Sequence, residues 1–108
     1  MLRETETQVK AIREVVKRTK EELGQARIRF GQNDDTYLAG QMKYAHFWLD
    51  DVELHLGMLS EDRVPPRTLT EESNILIGAR AQLKMGMAQA KRVIDWSLQY
   101  GDKFQAIG

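Results

Sequence analysis

The chain contains no cysteine, which removes disulfides, thiolate nucleophiles and Cys-ligated zinc together and fits a reducing compartment. Only two prolines occur, side by side at Pro65 and Pro66, and little of the remainder alternates apolar with polar residues as strands do. With proline this scarce, an all-α fold is predicted. Charge of one sign is missing too: sixteen Lys and Arg stand against sixteen Asp and Glu, so no global field draws the protein to nucleic acid or to an anionic membrane. Uninterrupted apolar runs last only a few residues, far short of the ~20 that a membrane span needs. The opening Met1-Leu2-Arg3-Glu4-Thr5-Glu6 lacks the basic and apolar regions of a secretory signal, so a cytoplasmic location is the expectation. What the chain does have is 108 residues, the length of one domain, and 42% hydrophobic residues, sufficient for a core. A soluble, globular single domain over residues 1–108 is predicted.

Three helices account for the apolar spacing. Leu2, Thr5, Val9, Ile12, Val16, Thr19, Leu23, Ala26 and Phe30 fall three and four apart, as in a heptad seam, and Gly31 supplies a stop. Asn33, Asp34 and Asp35 offer capping oxygens to a second helix whose Leu38, Met42, Ala45, Leu49, Val52, Leu56 and Leu59 repeat the spacing until Gly57 ends it. Residues 58–68 are polar and proline-broken, a linker. Thr68 or Thr70 caps a third helix, with Glu71 and Glu72 in its first turn, where the helix dipole favours negative charge. Its stripe is Leu76, Ala79, Leu83, Met87, Ala90 and Ile94, and Tyr100-Gly101 closes it. Helices are therefore predicted at residues 2–30, 35–57 and 69–100, with a tail at 101–108 whose Phe104 and Ile107 fold back or extend the helix. A short first and a longer second connection arrange them as an antiparallel, up-down-up three-helix bundle of long helices, a rod that associates into a larger helical assembly.

The helices differ in how much of their circumference is apolar. Lys10, Arg13, Glu14, Lys17 and Arg18 surround a narrow seam on the first, as suits an outer helix. On the second, Tyr37, Tyr44, Trp48 and His55 flank the seam and Phe47 and Leu54 lie further round. Two neighbours in a lone bundle leave part of such a helix uncovered, so an interface with another chain is predicted at Tyr44, Phe47, Trp48, Leu54 and His55. Symmetric self-association is the commonest way to cover a patch of this kind, and a homodimer is the simplest partner arrangement, another protein being the alternative. Met85 and Trp96 share an azimuth on the third helix and join the predicted interface. Gly78 and Gly86, with four alanines, make that helix thin; each interior glycine costs ~1 kcal/mol unless close backbone contact offsets it. Gly24 is read instead as tolerated at an exposed position.

Chemistry-bearing residues are few. His46, Asp50 and Glu53 share one stripe at i, i+4 and i+7, a partial metal-ligand set that doubles as the solvated face of the helix. Asp51 and His55 stand one turn apart inside the apolar arc and are predicted to form a structural polar pair that satisfies both. Asp50-Asp51-Val52-Glu53 resembles the first acidic cluster of the MazG-like nucleotide pyrophosphohydrolases, small all-α enzymes, and Glu71-Glu72 would supply the second. That resemblance implies magnesium-dependent hydrolysis of a nucleotide-like substrate, although the paired Glu-x-x-Glu and Glu-x-x-Asp spacing is not met. No nucleophile, phosphate loop or cofactor motif is recognisable, and no cofactor is expected.

Charge is segmental. Residues 1–33 hold eight basic and five acidic side chains, residues 34–62 one against seven, and residues 63–108 seven against four. The basic first helix is the one candidate for nucleic acid, but no aromatic or recognition-helix pattern accompanies the charge. The expected function is non-enzymatic: an adaptor, regulator or assembly component that works through protein–protein association. A metal-dependent hydrolase and nucleic-acid binding through the first helix are the alternatives.

Overall fold

The computed structural model describes residues 1–31 and 36–107, with residues 36 and 101–107 described by their backbone alone. Three helices make it up: α1 (Arg3–Phe30), α2 (Thr36–Ser60) and α3 (Leu69–Ile107). Among the described residues there is no strand. In α1 the alternating residues from Thr5 to Phe30 are all buried, while Leu2, just outside the helix, is exposed. Gly31 ends α1 with a φ of 68°, a left-handed value that glycine adopts without a Cβ clash, and its N–H bonds to the Ile28 carbonyl. The cap expected from Asn33, Asp34 and Asp35 lies outside the described residues.

Cross-helix contacts fix the directions. Thr5 meets Glu72 and Arg29 meets Ser97, so α1 and α3 run parallel; Lys20 meets Asp50 and Gln41 meets Gln89, so α2 is antiparallel to both. This is the up-down-up three-helix bundle, with α3 as the spine: it packs closely on both other helices, which touch each other little. At ~1.5 Å per residue the 39 residues of α3 alone span about 58 Å, the longest dimension of the molecule. The radius of gyration, 16.9 Å, exceeds the ~13 Å of a spherical domain of this length.

Two helices outrun the lengths expected of them. α2 passes through Gly57 to Ser60, and α3 passes through Gly101 to Ile107, so the tail extends the helix rather than folding back. The side chains of Phe104 and Ile107 lie outside the described residues. A helical glycine costs only ~1 kcal/mol and stops a helix where a left-handed residue is required. Of the described glycines, Gly31 alone has positive φ.

The start of α3 is held by a capping box. The Thr68 hydroxyl accepts the Glu71 N–H at 3.2 Å, and the Glu71 carboxylate accepts the Thr68 N–H at 3.4 Å. Glu72 turns the other way and is buried, accepting the Thr5 hydroxyl at 2.6 Å and the Leu2 N–H. Leu2 has no capping side chain of its own. One carboxylate thus sits at the positive ends of two parallel helices and occupies an orphan N–H of α1.

The core face of α3 departs from the expected stripe. Leu76, Ala79 and Ala90 are buried, but Gly86, Val93 and Ser97 take the inner positions, leaving Leu83 and Ile94 at the margin and Met87 exposed in a groove against α1. Close approach decides this. A Cβ built on Gly86 would stand 3.1 Å from both the Trp48 Cβ and the Leu49 Cδ2 atom. Gly78 meets only His55, at 3.9 Å, and Gly24 meets nothing within 4 Å.

These surroundings predict opposite signs for two substitutions. Gly86→Leu is expected to lower stability by about 1–3 kcal/mol through overpacking, and Gly24→Ala to raise it by about 0.5–1 kcal/mol. Urea unfolding followed by circular dichroism measures both; equal effects at the two sites would contradict the α2–α3 approach.

Candidate functional site

Position on α2 sorts its apolar residues into two seams. The inner one, Leu38, Ala45, Leu49, Val52, Leu56 and Leu59, is buried. A second runs along the opposite face through Gly40, Tyr44, Phe47, Asp51, Leu54 and Met58, again four and three apart, the spacing of residues on one helical stripe. Tyr44, Phe47 and Leu54 are 57%, 62% and 70% exposed. Gly40 and Met58 extend the stripe at its two ends, on the same alternating interval.

Trp48 joins this stripe to the core. Its indole is half-buried and meets Tyr44 and Phe47 edge-on, at centroid distances of 6.4 and 5.8 Å, an arrangement favoured by the aromatic quadrupole. Its Cβ is the atom that faces Gly86, so the tight α2–α3 contact holds the base of the cluster while the rings reach solvent. Met85, adjacent to Gly86 in the chain and 53% exposed, adds apolar surface on the α3 side. Trp96 lies elsewhere. It packs edge-on between Phe30 and Tyr37, at 6.0 and 5.8 Å, where α3 passes the end of α1 and the start of α2, and it borders the core more than it faces outward.

Asp51 and His55 are both half-buried, but their side chains do not bond to each other. The His55 Nδ1 lies 2.9 Å from the Asp51 main-chain carbonyl, and the Asp51 carboxylate instead accepts the Gln82 amide from α3. Both groups are satisfied inside the bundle, the carboxylate by a cross-helix bond invisible at i, i+4 spacing. Gln82 Oε1 is buried without a hydrogen-bond partner among the described residues, a cost that this polar bridge carries.

The acidic strip of α2 faces α1. The Lys20 ammonium lies 2.7 Å from Asp50 and 3.2 Å from Glu53, so a protein cation occupies the place a metal would take between them. Among the described residues no three His, Asp or Glu side chains gather as a metal-binding group. Glu72 stands ten residues along α3 from Gln82, the partner of Asp51, a separation of about 15 Å, so the acidic residues drawn together by the hydrolase resemblance stay apart. On the basic helix, Lys20, Arg13, Arg27 and Arg29 all reach groups of their own bundle. No helix among the described residues is long and apolar enough to cross a membrane.

Fold and surface together define an all-α three-helix bundle with an uncovered aromatic stripe on one outer helix. Compared with protein families, curated proteins and solved structures, the chain matches none of them.

Lys20 gives the acidic strip a measurable signature. Burial, the largest single influence, lowers its pKa, but hydrogen bonds and charge from Asp50 and Glu53 together outweigh it and hold the ammonium above the usual lysine value. The stabilisation is complete below the unfolded lysine value of ~10.4 and is lost as pH rises through the higher folded value. Solvent screening limits it to less than ~1 kcal/mol. In an NMR titration Lys20 is expected to deprotonate at lower pH once Asp50→Asn and Glu53→Gln are introduced; an unchanged midpoint would contradict the bridge.

Proposed function

We propose that this chain works by protein–protein association through the outer face of α2, most simply as a homodimer, in the manner of an adaptor, regulator or assembly component. The observation that carries the reading is the second seam: Tyr44, Phe47, Leu54 and Met58 follow the same interval as the buried seam of that helix, yet stand in solvent. Scattered apolar residues on a surface need no explanation, but a contiguous stripe centred on aromatic rings has the composition of an interface core. Trp48 is the anchor in this reading, its Cβ held against Gly86 and its ring already ordered by Tyr44 and Phe47, so little side-chain entropy is lost on contact. His55 and Met85 stand at the edge, where the interface grades into the α2–α3 groove.

Sedimentation equilibrium tests the reading. The expected species has twice the 12.5 kDa of one chain, and Phe47→Asp combined with Leu54→Asp is expected to return it to a single chain with its helicity intact. A wild-type protein that stays monomeric at high micromolar concentration, or a double variant that keeps the dimer mass, would overturn self-association through this face.

A further inference from the structure

If α2 is the association surface, its residues also say how two copies meet, and this inference rests on that reading. A contact between identical faces obeys a twofold axis. An axis along the helices would make α2 and its copy parallel, setting Gly40 on Gly40, Asp51 on Asp51 and the two helix dipoles side by side in the same direction. An axis across the helices makes them antiparallel and pairs unlike residues along the stripe.

We propose that two copies join α2 to α2 in antiparallel fashion about an axis at the level of Leu49, with Gly40 of one copy against Met58 of the other. In this register Tyr44 lies opposite Leu54 and Phe47 opposite Asp51 of the second copy. The pairing is complementary in size. A Cβ added to Gly40 would find open space within 4 Å, and Met58, at the far end of the stripe, is the long, unbranched side chain able to enter it. Lys43, exposed on the same flank as Asp50 and the basic exception in the acidic middle of the sequence, stands about 7.5 Å of helical rise from the level of Asp50 of the second copy, a gap its long side chain can span. Asp50 approaches its own copy near the axis, where each carboxylate keeps its ion pair with Lys20 at 2.7 Å. Asp51, tied by Gln82 and half-buried, is the one polar residue in the seam; a single polar group at such a position selects register and orientation at some cost in stability.

Absence of native cysteine makes the register directly readable. Gly40→Cys and Met58→Cys each sit on the surface away from the core. In the antiparallel pair Gly40 lies about 27 Å from its own copy, eighteen residues of helical rise, but beside Met58 of the other chain. Mild oxidation of the two variants mixed together is expected to give a covalent dimer containing one of each, and neither variant alone is expected to give any. Tyr44→Cys mixed with Leu54→Cys supplies an independent second pair with the same expectation. Cross-linking of a single variant with itself would overturn the antiparallel register while leaving the α2 surface in place. A dimer by mass that none of the mixtures cross-links would also overturn the register, and a monomeric mass would overturn the reading beneath it.

Discussion

The tight contact between α2 and α3 at Gly86 governs the rest of the structure. With no side chain there, Trp48 and Leu49 of α2 close onto the α3 backbone, and α3 becomes the spine on which both other helices pack. The consequence is asymmetric. A helix seated on a spine buries one face, and α2 has two apolar faces, so the geometry that completes the core also leaves the second seam in water. Trp48 belongs to both sides of this division, its Cβ in the close contact and its ring among Tyr44 and Phe47.

Polar groups reinforce the alignment. Glu72 ties the N-terminal ends of α1 and α3, Lys20 ties the acidic strip of α2 to α1, and the Asp51–Gln82 and Gln41–Gln89 contacts tie α2 to α3. Each interface therefore has a directional bond that would be lost on sliding one helix by a turn. The segmental charge of the sequence finds its physical meaning in part here: basic α1 meets acidic α2 through Lys20. These bonds engage Asp50, Asp51, Glu53 and Glu72, the acidic residues that stand out in the sequence of α2 and at the start of α3.

Sequence periodicity conveyed α1 almost residue by residue, because its seam is narrow and every inward position from Val9 to Phe30 except Thr19 is apolar. The inner seam of α2 was equally legible. On α3 hydropathy misled: Met87 and Ile94 look like core residues, whereas Gly86 and Ser97 do not, yet the unbroken alternation through Glu72, Leu76, Ala79, Leu83, Gly86, Ala90, Val93 and Ser97 marks the inner face. Interval was the better guide than residue type. The aromatic stripe of α2 was visible in outline, and its regularity emerges once Gly40, Asp51 and Met58 are included. Partners that lie far apart in sequence, such as Gln82 for Asp51 or Thr5 for Glu72, leave no local signal; only the packed bundle brings them together.

Whether the second seam is covered in solution is the central question, and small-angle X-ray scattering over a dilution series answers it most directly. Association through α2 predicts a forward intensity corresponding to two chains and a radius of gyration clearly above the 16.9 Å of the single bundle, both falling as the protein is diluted. A one-chain intensity with a radius near 16.9 Å at every concentration would contradict it.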